Sequence, residues 1–472
     1  MYFEQILRRD IGCAAYLVGS TDSGEAAAVD PRIDMVDEII ELVVRDGLRL
    51  RYIIETHNHA DHISGHHQLA ERTGAIIAIH RSASVAYPHQ ELQDDQELSL
   101  GEVQLRVLHT PGHRPEHIAI AVIDRSRGDE PWAVLTGDSL FIGDVARPDL
   151  AIPGREGAEA LFRSLHTRLL TLANGTLAYP AHIAGSLCGR VNNRMATSTI
   201  GFERRYNPAL AITSVEPFVE FMTGTLPERP PNMARIVEMN QAAEPASVAE
   251  PLPLTPSGVS QLSREDALVL DTRTPGEFGA GHIPGAISVY PGNGQFQNRV
   301  GLSVRPDTDL ILVTSIGAKA RSIAEALSVI GYNRVTGYLA GGMRRWEIAG
   351  ADTVTLPQVS VLELQQQREQ TPGLQVLDVR EPGEWQAGHI KGAVHIPFYR
   401  VSTKAGSLDR DQPVAVICGS GVRSSLAASI LQRAGFADVR NVTGGMTAWT
   451  AAGLPMKNAI DEAESHRVAM TG

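Results

Sequence analysis

Four potential metal ligands stand close together in the first part of the chain. His57, His59, Asp61 and His62 lie within six consecutive residues, shortly after the apolar segment 50–54. Imidazole and carboxylate groups bind zinc, iron and related cations. Further residues of ligand type follow later apolar segments: His113, Asp138 and His182. Together these residues predict a metal centre.

A second reactive cluster surrounds Cys418. This cysteine follows the apolar segment 414–417, and a helix is predicted to begin at about Ser424. At such a turn, unpaired backbone N–H groups and the positive end of the helix dipole stabilise a thiolate. We therefore predict that Cys418 and Arg423 are catalytic. The residues between them are predicted to bind the substrate: Gly419, Ser420, Gly421 and Val422.

The other cysteines are few and widely separated. Cys13 and Cys188 are too far apart in the sequence, from each other and from Cys418, to suggest a disulfide framework, so we expect free thiols. Cys188 follows His182 by six residues, which puts it within about 20 Å of the predicted metal at ~3.3 Å per residue. It is either a small buried apolar residue or a thiol that handles sulfur.

Apolar segments must position these groups. In the first 240 residues they are short and often end in a turn that holds His or Asp, which is where sites are commonly built on a rigid sheet. We predict strands at 50–54, 75–79, 103–108, 118–123 and 133–135.

The second half of the chain contains a repeat. Residues 271–286 and 378–393 are identical at eleven of sixteen positions at an offset of 107, and GGMRRW at 341–346 matches GGMTAW at 444–449. Short apolar segments alternate there with helical spacing, which predicts parallel α/β sheets. The first repeat has no cysteine in 312–321, so it offers no counterpart of the Cys418 thiol. Charged and imidazole side chains common to both repeats are predicted to support the fold: Asp271, Arg273, Glu277 and His282, and Asp378, Arg380, Glu384 and His389.

Length and charge limit the class of protein. The 472 residues suggest about three domains, at roughly 150 residues each. We assign them to 1–240, 258–354 and 355–460, with a Pro- and Ala-rich linker at 241–257. A net charge of −12 argues against a nucleic-acid partner, and no apolar segment is long enough to cross a membrane. We expect a cytoplasmic homo-oligomer that acts on small molecules.

The order HxHxDH, His, Asp, His resembles the metallo-β-lactamase superfamily. The residues in 55–65, 137–140 and 144–149 further resemble its persulfide dioxygenase branch. That resemblance implies a mononuclear Fe(II) bound by His57, His113 and Asp138, with roughly three coordination positions left for a persulfide and O2. It also implies that Arg147 attracts the anionic persulfide. The remaining residues would orient ligands and water, or hold a second metal: His59, Asp61, His62 and His182.

The pattern Cys-x-x-Gly-x-Arg and the duplicated motifs resemble rhodanese sulfurtransferase domains. The whole chain then resembles bacterial fusions in which a metallo-β-lactamase αββα sandwich precedes two rhodanese-like α/β domains with parallel sheets, the first inactive. The implied reactions are oxidation of a low-molecular-weight thiol persulfide by O2 to sulfite, then sulfur transfer to give thiosulfate, as in sulfide detoxification. Two alternatives stay open: a hydrolase with two Zn(II) ions resembling hydroxyacylglutathione hydrolase, and a sulfur carrier that does not oxidise.

Overall fold

The computed structural model describes residues 1–472 except 185, 191–193, 225, 227, 293, 318 and 458–472. The chain divides into two compact units. The first comprises Met1–Val248 with Glu325–Gly331, and the second comprises Ala249–Ala324 with the residues from Tyr332 onward. None of the helices in the described part of the chain has the length and apolar content that a membrane span requires.

The first unit contains two six-stranded sheets and a small hairpin. The strands of the first sheet lie in chain order: β1 (Tyr2–Arg8), β2 (Cys13–Gly19), β3 (Glu25–Val29), β4 (Arg49–Ile54), β5 (Ile76–His80) and β6 (Gln90–Leu92). The other strands are β7 (Glu97–Leu100), β8 (Val103–His109), β9 (Ile118–Asp124), β10 (Ala133–Gly137), β11 (Leu140–Phe141), β12 (Asp144–Val145), β13 (Leu177–Pro180) and β14 (Ser198–Thr199). The second sheet has the order β14-β13-β10-β9-β8-β7, and β11 pairs with β12. The helices are α1 (Val36–Arg45), α2 (His66–Thr73), α3 (Gly154–Ser164), α4 (Ile200–Tyr206), α5 (Val215–Gly224) and α6 (Met233–Gln241).

Buried apolar side chains form three clusters, one between the two sheets and one on the outer face of each sheet. Residues of both sheets, such as Val18 and Val122, meet in one buried cluster between them. A second cluster joins the first sheet to α1, for example through Ile39, and a third joins the second sheet to α3 and α5, for example through Leu161. Burial on both faces of each sheet requires this arrangement. The predicted αββα sandwich is therefore confirmed.

The predicted strands are present, but α2 begins later than the sequence suggests. Its apolar and helical pattern places the start near residue 63, whereas the helix begins at His66. Tertiary hydrogen bonds hold Ser64 outside the helix: its N donates to Asn240 Oδ1 at 2.9 Å, and its Oγ donates to Glu55 Oε1 at 2.5 Å. The helix ends before Gly74, whose φ of 72° lies in the left-handed region.

The two repeats each form a five-stranded parallel sheet with the same strand order, β15-β19-β18-β16-β17 and β20-β24-β23-β21-β22. The first contains β15 (Leu252–Leu254), β16 (Leu268–Asp271), β17 (Ile287–Ser288), β18 (Leu310–Val313) and β19 (Val335–Leu339). The second contains β20 (Gln358–Val359), β21 (Gln375–Asp378), β22 (Val394–His395), β23 (Val414–Ile417) and β24 (Val439–Val442). The first repeat's helices are α7 (Pro256–Arg264), α8 (Pro275–Ala280), α9 (Phe296–Ser303), α10 (Lys319–Val329) and α11 (Gly342–Ile348). The second repeat's helices are α12 (Val361–Gln370), α13 (Pro382–Ala387), α14 (Val401–Lys404), α15 (Val422–Arg433) and α16 (Gly445–Ala451).

The predicted linker 241–257 needs a correction at its C-terminal end. Strand β15 pairs with β19, and α7 begins at Pro256 with Thr255 Oγ1 accepting a hydrogen bond from Gly258 N. These residues therefore belong to the first repeat. The segment is short and contains prolines, so its sequence alone gives no strand signal.

Candidate metal centre and thiol site

The structure brings together the three ligands predicted for a single metal. His57 follows β4, His113 follows β8, and Asp138 follows β10, and each is almost completely buried. Asp138 Oδ2 lies 3.4 Å from His113 Nε2 and 3.9 Å from His57 Nε2. These three atoms are buried and have no hydrogen-bond partner among the described residues.

Hydrogen bonds fix which nitrogen of each imidazole faces the centre. Thr56 Oγ1 donates to Asp30 Oδ2, so it accepts from His57 Nδ1 at 2.9 Å. His113 Nδ1 donates to the backbone oxygen of Arg147, also at 2.9 Å. Because both Nδ1 atoms carry the proton, both Nε2 lone pairs remain available for a metal.

The charges of this group suit a divalent cation. Burial lowers the pKa of His57 well below its ordinary value, and His59 and His113 add to that effect. Burial also lowers the pKa of His113, although Asp138 acts in the opposite direction. Burial alone would raise the pKa of Asp138, but His182 lowers it to about 2. Two neutral imidazoles and one carboxylate are the protonation states that metal binding requires.

A second group of ligand type lies beside the first. His182 connects the two groups, because its Nδ1 is 2.6 Å from Asp138 Oδ1 and its Nε2 is 2.6 Å from Asp61 Oδ2. His62 Nδ1 lies 3.2 Å from Asp61 Oδ1. Cys13 is the first residue of β2 and belongs to no predicted motif. Its Sγ lies 3.6 Å from Asp61 Oδ2. These four side chains could also hold a cation.

His59 belongs to neither of these groups. Its Nε2 lies 3.2 Å from Asp30 Oδ1 and 3.4 Å from Glu55 Oε2. Burial opposes protonation, yet Asp30 and Glu55 raise the pKa of His59 well above its ordinary value. His59 Nε2 therefore belongs to a third buried cluster, with Asp30 and Glu55, while its Nδ1 has no hydrogen-bond partner among the described residues.

The charge of Arg147 was expected to attract a substrate, but in the structure it is paired with a carboxylate. Its guanidinium is 2 % exposed and forms two hydrogen bonds to Asp149, at 2.7 and 3.0 Å. This carboxylate compensates the charge. The contact with the site is instead made by the Arg147 backbone oxygen, which orients His113. Arg147 is thus a positioning residue in this structure.

Sequence analysis did not single out His117, which also positions the triad. Its Nε2 accepts a hydrogen bond from Asp138 N at 2.8 Å, and its Nδ1 bonds to Thr110 Oγ1 at 2.9 Å. A Cβ at Gly137 would lie only 2.6 Å from that Nε2, so this close approach requires glycine. The available signal was the crowding of histidines between residues 57 and 117, which does not distinguish ligands from their supports.

Cys188 lies against the metal centre, but in an apolar setting. Its ligand atom is grouped with those of Asp138 and His182, and the side chain packs with Phe141 and Ala146. Burial raises the pKa of Cys188 well above its ordinary value. The neutral thiol is the form that this pocket favours.

Cys418 lies at the strand-to-helix turn that its sequence predicts, although α15 begins at Val422 instead of near Ser424. Gly421 N donates to Cys418 Sγ at 3.1 Å, and Ser424 Oγ donates to it at 3.3 Å. Gly421 has a φ of 102°, which turns its N–H toward the sulfur at little conformational cost. The loop residues surround the buried thiol: Gly419 and Val422 are half-buried, Gly421 is buried and Ser420 is exposed.

Arg423 is held by a residue that was predicted to serve only the fold. Its Nη1 and Nη2 donate to Glu384 at 2.6 and 2.8 Å. In the first repeat, by contrast, Glu277 accepts hydrogen bonds from Thr274 at the start of α8. The two glutamates are equivalent in sequence, so the purely structural interpretation is corrected for Glu384.

Strand pairing decides which residue of the first repeat occupies the cysteine position. Asp271 pairs with Val313 in the first repeat, and Asp378 pairs with Ile417 in the second. Thr314 therefore stands where Cys418 stands. Lys319 and Ala320 take the places of Arg423 and Ser424.

Comparison with known proteins finds two families in the chain. The metallo-beta-lactamase superfamily matches residues 8–182, and the rhodanese-like domain matches 255–349 and again 360–452. Persulfide dioxygenase ETHE1 of Bos taurus is 33 % identical over 208 residues, which cover 44 % of this chain and 74 % of that protein.

Two further similarities concern a curated protein and a crystal structure. A "probable metallo-hydrolase" of Burkholderia pseudomallei is 31 % identical over 200 residues, covering 36 % of this chain and 67 % of that protein. The crystal structure of a metallo-beta-lactamase from Staphylococcus aureus matches with a TM-score of 0.64 at 27 % identity, covering 72 % of this chain and 98 % of that one.

Proposed function

We propose that this chain, a member of the metallo-β-lactamase superfamily, is a persulfide dioxygenase and sulfurtransferase. Its N-terminal domain is related to the persulfide dioxygenases, and two rhodanese-like domains follow it in the sequence. The observation that carries the proposal is the set of three orphaned buried atoms, His57 Nε2, His113 Nε2 and Asp138 Oδ2. They form a donor set of two nitrogens and one oxygen, which is the 2-His-1-carboxylate combination of non-haem iron oxygenases.

The proposed first reaction oxidises the outer sulfur of a low-molecular-weight thiol persulfide. One persulfide, one O2 and one water give one thiol, one sulfite and two protons, so no further reductant is needed. Fe(II) held by His57, His113 and Asp138 would supply the activation of O2 that this oxidation requires.

The protein's own part in this step is to keep the donor set in place and in the right protonation state. Thr56 and the Arg147 backbone oxygen hold the two imidazoles by their Nδ1 atoms. His117 holds the backbone of Asp138, while His182 occupies its second carboxylate oxygen. These hydrogen bonds fix the orientation of both imidazoles and of the carboxylate, so that one free atom of each faces the centre. This is the preorganisation that catalysis needs.

The proposed second reaction transfers sulfur at Cys418. A sulfur lone pair of sulfite attacks the outer sulfur of a Cys418 persulfide, the S–S bond of that persulfide breaks, and Cys418 leaves as a thiolate while thiosulfate forms. The N–H of Gly421 and the hydroxyl of Ser424 both donate to this sulfur and so stabilise the leaving thiolate. Thr314 offers no thiol in the first repeat, so that repeat takes no covalent part.

A hydrolase with two zinc ions is the second candidate. The group of Cys13, Asp61, His62 and His182 favours it, as does the similarity to a metallo-hydrolase. His59 does not decide the choice: its Nε2 faces Asp30 and Glu55, but its Nδ1 is buried without a hydrogen-bond partner among the described residues and could still serve as a ligand. Metal analysis of anaerobically prepared protein separates the candidates: one iron per chain supports the dioxygenase, and two zinc ions with thioester cleavage support the hydrolase.

Two variants test the proposed division of labour. His113→Ala is expected to lose iron and persulfide-dependent O2 uptake together. Cys418→Ala is expected to keep O2 uptake and to lose thiosulfate formation, as measured by oxygen electrode and ion chromatography. Oxygen uptake by an iron-free protein would contradict the first assignment, and thiosulfate formation by Cys418→Ala would contradict the second.

A further inference from the structure

A buried arginine of the first repeat has no negative charge to match its own. Arg299 lies in α9 and is 6 % exposed. Its Nη2 donates to the backbone oxygens of Tyr290 at 2.6 Å and Gly292 at 3.4 Å, but its Nε has no hydrogen-bond partner in the described part of the chain. Among the described residues, no carboxylate forms an ion pair with it. A guanidinium is costly to bury in this state, and an anion would remove that cost.

Arg299 lies in a part of the first repeat that contacts the second repeat. Apart from Glu325–Gly331, both repeats lie in the same compact unit. Ser288 N donates to Ser429 Oγ at 3.0 Å, and Ser425 Oγ donates to Ser288 Oγ at 2.9 Å. Ser425 and Ser429 lie in α15, the helix that follows the Cys418 loop. In addition, α9 contacts the 3-10 helix Phe398–Arg400 of the second repeat.

The charges around Arg299 are those of the thiol site. Burial and the charge of Arg423 lower the pKa of Arg299 to about 10, while Cys418 acts in the opposite direction. Arg299 is therefore still protonated at neutral pH, and its charge interacts with those of Arg423 and Cys418. Because Glu384 compensates Arg423, Arg299 adds a positive charge, on a helix that contacts the second repeat, that no described carboxylate cancels.

We propose that Arg299 of the first repeat binds the oxyanion substrate of Cys418, a small sulfur oxyanion such as sulfite or thiosulfate. The proposal rests on the sulfurtransferase function proposed above and adds a residue from the other repeat to that site. A planar guanidinium with a free Nε–H suits the oxygens of such an anion. The repeat without a cysteine thus completes the pocket of the repeat that has one.

Steady-state sulfur transfer from thiosulfate to cyanide tests this proposal. Arg299→Gln is expected to raise the KM for thiosulfate about tenfold or more, with a smaller change in kcat, as expected when a charged hydrogen bond to the substrate is lost. Arg299→Lys should restore most of the affinity because it keeps the charge. Arg305→Gln, at an exposed arginine of the same repeat, is the matched control and should behave as wild type. An unchanged KM in Arg299→Gln would overturn the proposal.

A second measurement needs no turnover and stays informative if the proposed function fails. Cys418 is alkylated with anionic iodoacetate or with neutral iodoacetamide, and the rate for its peptide is followed by mass spectrometry. Both reagents react with the same thiolate, so the ratio of the two rates reports local positive charge. We expect this ratio to fall about fivefold in Arg299→Gln and to be retained in Arg299→Lys and Arg305→Gln. An unchanged ratio would overturn the proposal even if Cys418→Ala abolishes thiosulfate formation.

Discussion

The two repeats of the second unit have one scaffold and two different loops. Their sheets have the same strand order, and each contains a buried Asp–Arg pair of nearly the same geometry. They differ in the loops that follow β18 and β23. Cys418, Arg423 and Ser424 in the second repeat correspond to Thr314, Lys319 and Ala320 in the first. The scaffold is therefore maintained without the chemistry, and the chemistry depends on a few side chains and their partners.

The largest expected effect comes from exchanging the residues at the cysteine position. Cys418→Thr should lower sulfur transfer about 1000-fold or more, because the nucleophile is removed. Adding Thr314→Cys to that variant should restore less than about 1 % of the activity, since Ala320 offers no hydroxyl donor to the new sulfur. Thiosulfate formation measures both effects. Strong recovery in the double variant would show that the loops are interchangeable and would break the comparison.

The next effect concerns what the repeats share. Asp271→Asn and Asp378→Asn should each destabilise the protein by about 3 kcal/mol, because each leaves a buried arginine without its carboxylate. Thermal unfolding followed by calorimetry measures the loss. Similar losses at the two positions are expected. A negligible loss at either one would mean that the pairs differ in role despite their matching geometry.

The smallest effect concerns the pair of equivalent glutamates. Glu384→Gln should cost only about 1 kcal/mol of stability, since its ion pair with Arg423 is partly exposed, and should lower sulfur transfer about threefold to tenfold as Arg423 loses its anchor. Glu277→Gln is the matched control and should leave transfer unchanged, because Glu277 only caps α8. Equal losses of transfer in both variants would contradict the functional difference between the glutamates.

The ion pair of Glu384 and Arg423 predicts a pH dependence of stability. Burial opposes ionisation of Glu384, but Arg423 lowers its pKa below the ordinary value. A depressed folded-state pKa stabilises the protein above the unfolded-state pKa, and that stabilisation is lost as the pH falls through the folded-state value. The stability difference between wild type and Glu384→Gln should therefore be complete at pH 7, begin to fall near the ordinary glutamate pKa of about 4.3, and disappear only below the lower folded-state pKa. Chemical denaturation at several pH values measures it.

Most of the fold follows from patterns that are local in the sequence. Mainly apolar segments predicted β4, β8, β9 and β10, and the duplicated motifs predicted a pair of similar parallel sheets. Strand β15 could not be predicted in this way, because its Leu-Pro-Leu sequence forms a strand only through pairing with β19. Likewise, Ser64 remains outside α2 because it bonds to Glu55, nine residues away, and to Asn240, which is distant in sequence.

The residue types that can bind a metal or carry sulfur, and their places at strand ends, were readable from the sequence because strand periodicity and turn chemistry act over a few residues. The partners of those residues were decided by tertiary structure. His59 Nε2 faces Asp30 and Glu55, Arg423 pairs with Glu384, and the helix that carries Arg299 contacts the second repeat. Charge compensation in a buried site depends on which side chains meet in space, and contacts between residues far apart in the chain leave no local pattern.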